Sequence, residues 1–148
     1  MKSLIPAVIC AAAGDTSARY SEVNAVSLGT NMNLVVPPSE RDRVRAFYRD
    51  VLGCRVTRAS ERIDKFEMRN GFYLGVVYAD GAQSEEERRR SIWLELRTDH
   101  PEALRERILE FGARQIDFWD EEHFYFQAPG GQVYRLVGTD EDMTQWQR

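Results

Sequence analysis

The residues of this chain best placed to do chemistry sit in two short stretches, Trp93-Leu94-Glu95-Leu96-Arg97 and Val133-Tyr134-Arg135. Alternate side chains of an extended strand share a face, so Trp93, Glu95 and Arg97 stand together, as do Val133 and Arg135. A guanidinium presents a fixed fork of donors to a carboxylate or carbonyl. An indole presents a flat apolar face that also attracts cations, so Trp93 and Arg135 can stack where their two strands are neighbours. Glu95 can pair with Arg97 or Arg135. The alternation adds Asn33 and Tyr73 from two earlier strands. Asn33, Tyr73, Trp93, Glu95, Arg97 and Arg135 are therefore the candidate ligand-binding set: an aromatic wall with isolated polar groups, the usual make-up of a small-molecule pocket. The competing arrangement has Arg135 and Glu95 satisfying each other and plugging the same space.

Other reactive residues are less favourably placed. His100 precedes Pro101 at a helix start and reads as a neighbour of the cap. His123 opens a strand after Asp120-Glu121-Glu122. No orienting partner is identifiable, so a rim or surface position is expected. Cys10 and Cys54 form no CxxC pair and no disulfide framework, and Cys54 reads as a small buried hydrophobe. Whether Tyr125 or its neighbours Phe124 and Phe126 line the pocket is open. No Ser/His/Asp arrangement, phosphate loop or dinucleotide fingerprint occurs.

The elements that position these residues follow from periodicity. Met32 to Val36 is a strand stopped by Pro37-Pro38. Ser39 is the expected cap of a helix whose apolar stripe is Val44, Phe47, Tyr48, Val51 and Leu52, ended by Gly53. Strands follow near Cys54 to Arg58, Ile63 to Arg69 and Phe72 to Tyr78, with Asn70-Gly71 marking a tight hairpin. The stretch from Asp80 to Arg90 lacks apolar periodicity and reads as a solvated charged linker. The order then repeats: a strand over Ser91 to Arg97, a helix opened by Asp99-His100-Pro101 with stripe Leu104, Ile108 and Phe111, the stop Gly112, then strands near Arg114 to Trp119, His123 to Gln127 and Gln132 to Val137. Equivalent glycines recur at an offset of about 60 residues, so the chain is an internal duplication.

Two βαβββ modules result, an α+β fold in which a curved mixed-sheet cup carries its helices on the outer face. The expected divisions are an N-terminal extension or signal segment over 1–30, the first module over 31–79, the linker over 80–90, the second module over 91–138 and a tail over 139–148. Leu34, Val36, Leu74, Val76, Leu94, Leu96, Tyr134 and Leu136 should point at the helices. Asn33, Val35, Tyr73, Gly75, Val77, Trp93, Glu95, Arg97, Val133 and Arg135 should line the cup.

This duplicated order resembles the vicinal oxygen chelate superfamily, which includes glyoxalase I, bleomycin-resistance proteins and extradiol dioxygenases. Phe47-Tyr48-Arg49-Asp50-Val51-Leu52-Gly53 matches its first-helix signature, and Ala128-Pro129-Gly130-Gly131-Gln132-Val133-Tyr134-Arg135-Leu136 its closing turn and strand. The resemblance implies metal ligands, mostly His and Glu, on the first and last strands of each module. Carried over, those positions are Asn33, Gly75, Trp93 and Arg135. An amide, a bare Cα, an indole and a guanidinium are not donors for a divalent ion.

The resulting expectation is a metal-independent binding protein with no cofactor, taking an anionic or carbonyl-bearing ligand with an aromatic or apolar body, and forming a homodimer. Two alternatives stand beside it. One is a lyase or dioxygenase-type enzyme with displaced metal ligands or metal-free acid/base groups (Glu95, Tyr73 or His123); the other is a non-catalytic subunit with a plugged cup.

The whole chain has 148 residues and a formal charge of −4, against a nucleic-acid or anionic-membrane partner. No apolar run reaches the ~20 residues that span a bilayer. Residues 1–18 carry a weak signal-like pattern with a single lysine, so a cytoplasmic location is expected, with export as the alternative.

Overall fold

The computed structural model describes residues 26–147. The signal-like pattern and Cys10 lie outside the described residues. Strand β1 (Asn31–Val36) ends at the prolines, and a 3-10 turn over Pro38–Glu40 leads into α1 (Arg41–Ala46), which continues as a π-helical turn over Phe47–Val51. The expected Ser39 cap does not form. Ser39 lies inside the 3-10 turn, where the Glu40 N–H is already satisfied by the Pro37 carbonyl at 3.0 Å. Gly53 ends the helix with φ +68, the left-handed conformation that favours glycine.

Strands β2 (Arg55–Ala59), β3 (Ile63–Glu67) and β4 (Tyr73–Tyr78) complete sheet one in the order β1-β4-β3-β2, with β1 parallel to β4. The Asn70-Gly71 hairpin is wider than a two-residue turn. Met68 N–H donates to the Phe72 carbonyl at 2.8 Å and Gly71, at φ +79, donates to the Met68 carbonyl at 2.9 Å. Sheet two repeats the plan with β5 (Trp93–Thr98), α3 (Pro101–Phe111), β6 (Arg114–Ile116), β7 (Phe124–Gln127) and β8 (Val133–Gly138), ordered β5-β8-β7-β6. Strand β6 stops short of the expected Trp119 because Phe118 leaves the ladder to stack on Tyr125, with ring centroids 4.7 Å apart.

The linker is more than solvated charge. Ser84 and Glu87 form a capping box that starts the short helix α2 (Glu85–Arg88). From it, the Glu85 carbonyl accepts from Gln127 Nε2 at 2.6 Å, and Arg88 donates to the Val35 carbonyl, so α2 straps module one to the closing turn of module two. The signal was in the sequence as Ser84-Glu85-Glu86-Glu87, a pattern that apolar periodicity does not register.

The helix-facing sides of both sheets share one core. Leu34, Val36, Leu74 and Val76 of sheet one join Tyr134 and Leu136 of sheet two around Val44, Phe47, Tyr48 and Ile108, with Leu94 and Leu96 packed partly buried against them. Tyr48 shows the sharing directly: its ring stacks on Phe66 at 5.1 Å, and its hydroxyl meets that of Tyr134 at 2.9 Å. The sheets are thus back to back about the helices, and their inner faces turn outward. The cup is open within the single chain. No helix of the described residues is long and apolar enough to cross a membrane.

Candidate functional site

Sheet two carries the denser cluster. The ladder places Glu95 opposite Arg135, and Arg135 Nη2 donates to Glu95 Oε2 at 2.8 Å. The Arg135 side chain is only 7% exposed, and its guanidinium carbon stands 4.6 Å from the Trp93 ring centroid and 5.9 Å from that of Trp146. Glu95 also accepts from Arg97 Nε at 2.8 Å. Burial acts to raise the Glu95 carboxyl, but the bonds from Arg135 and Arg97 outweigh it and hold it below the usual carboxylate range.

Behind this pair lies a second set of groups. Asp120 is fully buried and accepts from Tyr125 Oη at 3.0 Å, with Arg135 Nη1 at 3.7 Å. Tyr125 therefore lines the inner face, while Phe124 and Phe126 join the core. His123 was expected at the rim; its side chain is instead 4% exposed and held on both sides, Nδ1 by Asp120 at 2.7 Å and Nε2 by Glu141 at 2.6 Å. Burial acts to lower the imidazole pKa, but the two carboxylates outweigh it and raise it. The orienting partner was hidden in the sequence because Asp120 reaches His123 by a bend, with Glu122 N–H bonded to Asp120 Oδ1 at 3.1 Å. Both imidazole nitrogens are occupied, so His123 offers no free base in this arrangement.

The six candidates fall into two groups. Trp93, Glu95, Arg97 and Arg135 are brought together on sheet two; Asn33 and Tyr73 lie on the inner face of sheet one. The Asn33 side chain covers Gly75: a Cβ there would come 1.9 Å from Asn33 Oδ1. The register also corrects the repeat. Asn33 pairs with Gly75, whereas the partner of Arg135 is Glu95, and Trp93 pairs with Val133. Glu95 is thus the ladder equivalent of Asn33, with Trp93 two residues earlier on the same face.

A crevice of about 500 Å³ opens beside this cluster, lined by Met68, Arg69, Asn70, Glu95, Arg97 and Thr139. The tip of the β3–β4 hairpin forms its other wall, with Arg69 Nη1 tied to Asp99 Oδ2 at 2.6 Å. Sequence reasoning missed Met68 and Arg69. The Asn70-Gly71 turn signalled a hairpin tip, but no local pattern told that the tip would meet the edge of β5. Cys54 is buried as expected, and burial pushes its thiol up to about 11.

This duplicated βαβββ architecture, with the inner strand faces carrying the polar groups, defines a class. Residues 33–137 match the family model described as a glyoxalase-like domain, and the chain belongs to that family, within the vicinal oxygen chelate fold. Among solved structures, it is similar to the genomically encoded fosfomycin resistance protein FosX from Listeria monocytogenes complexed with Mn(II) and sulfate ion, at 16% identity and TM-score 0.63, covering 84% of this chain and 99% of that one. FosX from Mesorhizobium loti matches at 16% identity and TM-score 0.60, covering 84% and 98%. Lactoylglutathione lyase from Agrobacterium tumefaciens matches at 15% identity and TM-score 0.54, covering 78% and 96%. No curated protein sequence matches the chain.

The donor set does not fit the divalent ion this fold implies. Of Asn33, Gly75, Glu95 and Arg135, only Glu95 is a carboxylate, and both its oxygens are engaged by guanidinia. Among the described residues, no group of three or more His, Cys, Asp or Glu could hold a metal ion.

Proposed function

We propose that the protein binds a small molecule without a metal, taking an anionic or carbonyl-bearing ligand with an apolar or aromatic body. The observation that carries this reading is Arg135 on the ladder partner of Glu95: a permanent cation, neutralised within the chain, where a metal-binding relative needs a donor. With Arg135 buried and paired, the ligand's acceptor falls to Arg97, whose side chain is 42% exposed on the wall of the crevice; Trp93, outside that lining, is partly exposed farther along the same strand face. A volume of about 500 Å³ suits a drug-sized ligand.

The cup is completed by a second copy. The inner face of sheet one, with Asn33, Val35 and Tyr73, is the surface available to a partner, because the two inner faces of one chain point away from each other. Light scattering should then report a dimer. A panel of aromatic and aliphatic carboxylates and phosphonates, screened by thermal shift in chelator, should contain members that raise Tm in wild type but not in Arg97→Ala. A panel that never moves Tm, or moves it only when divalent metal is added, overturns the reading.

A second reading, a non-catalytic subunit with a plugged inner face, is supported by one observation, the Glu95–Arg135 ion pair at 2.8 Å with Arg135 buried. A silent thermal screen together with an intact dimer would favour it.

A further inference from the structure

The segment after β8 turns back across the inner face of sheet two. Glu141 N–H closes a turn on the Gly138 carbonyl at 3.2 Å, Met143 is buried, and the 3-10 turn Thr144–Gln147 sets Trp146 against the cluster. The Trp146 ring lies 5.6 Å from His123 and 5.9 Å from both Trp119 and the Arg135 guanidinium. This cover is tied to the sheet by an ionic contact, Glu141 Oε1 on His123 Nε2 at 2.6 Å, buried on the His123 side and open to solvent on the Glu141 side. It fits imperfectly: Arg135 Nε and Trp146 Nε1 are buried with no acceptor, a cost that opening would remove.

We propose that residues 140–147 form a lid over the Arg135 cluster, latched by the His123–Glu141 contact and released when His123 loses its proton. The proposal rests on the binding role of sheet two's inner face and adds its regulation.

The charge arithmetic sets the direction. Protonated, His123 donates through both nitrogens, to Asp120 and to Glu141. Neutral, it keeps one N–H. Asp120 is buried and draws on Tyr125 and Arg135 as well, so Nδ1–H stays with Asp120 and a bare Nε2 lone pair faces the Glu141 carboxylate. The other charged groups about the imidazole are Glu122 beside it in the chain, and Glu102 and Arg105 of α3 across the adjoining crevice. The latch is therefore closed below the raised imidazole pKa and opens as pH rises through it.

The test uses the full chain without ligand, so that a failed ligand screen leaves it decisive. Hydrogen exchange of residues 140–147 and the Trp146 indole resonance are followed against pH, with the His123 imidazole titrated by NMR in the same samples. Lid protection should fall in one step that tracks His123. In Glu141→Gln, altered at a side chain 41% exposed and so expected to fold, protection should be lost at low pH as well, by on the order of tenfold. Protection that ignores the His123 titration, or that survives in Glu141→Gln, overturns the lid. Ligand binding that persists in that case leaves the binding role intact.

Discussion

Arg135 and Glu95 are direct partners across the parallel β5–β8 ladder and close a 2.8 Å ion pair under the Trp93 ring. Because the guanidinium is buried and the carboxylate only partly so, the pair is asymmetric: removing either member leaves a different cost behind.

Arg135→Ala strips Glu95 and buried Asp120 of a cation and should cost roughly 3–5 kcal/mol. Glu95→Ala still leaves Arg135 near Asp120 and should cost less. Urea unfolding of both variants checks the order, and a larger loss for Glu95→Ala would contradict it.

The hydroxyls of Tyr48 and Tyr134 meet at 2.9 Å in the shared core, and both side chains are fully buried. Burial pushes both phenols well above their ordinary range, so they stay neutral. Tyr48→Phe or Tyr134→Phe each leaves one buried hydroxyl unpaired and should cost about 1–3 kcal/mol. The double variant should cost less than the sum of the singles, read from a double-mutant cycle.

Gly75→Ala drives a Cβ into the Asn33 amide, a side chain at an exposed position that can rotate. The loss should stay at about 1 kcal/mol or below, and Asn33→Ala should remove most of it. A larger loss that Asn33→Ala does not rescue would mean the strand backbones, not the amide, are the obstacle.

Much of the fold was legible in the sequence, because each module declares itself locally. The stripe Val44-Phe47-Tyr48-Val51 and the stops Gly53 and Gly112 depend on neighbours in the chain, and the alternation in β4 and β8 sorts core from inner face without knowing what packs where. The Trp93–Arg135 stack needed the family resemblance as well, because only that fold's strand order makes β5 and β8 neighbours. What could not be read depends on distant groups. The second partner of His123, Glu141, arrives from beyond β8, and the place of Arg69 on the crevice is set by the edge of another sheet. A fixed repeat offset also misassigned one position: β1 and β5 are displaced by two residues relative to β4 and β8, which substitutes Glu95 for Trp93 opposite Arg135.

The carboxylates and the imidazole of the cluster pull stability in opposite pH directions. Asp120 and Glu95 sit below their ordinary range, so what they contribute is present above their unfolded values, near pH 4, and is lost as pH falls through the depressed folded values. His123 is raised, so its share is complete below about pH 6.5 and is lost as pH rises through its folded value. Stability should therefore peak in mildly acidic solution, and His123→Gln should flatten the alkaline limb and, by removing one of the groups that hold Asp120 down, soften the acid limb as well. Chemical denaturation across pH measures both limbs.

The central claim is ligand binding at sheet two without a metal. Isothermal titration of a ligand from the thermal screen, into protein stripped with chelator and into the same protein with Mn(II) restored, tests it most directly. The account predicts equal affinity in both, lost in Arg97→Ala; binding that vanishes on chelation and returns with the metal would contradict it.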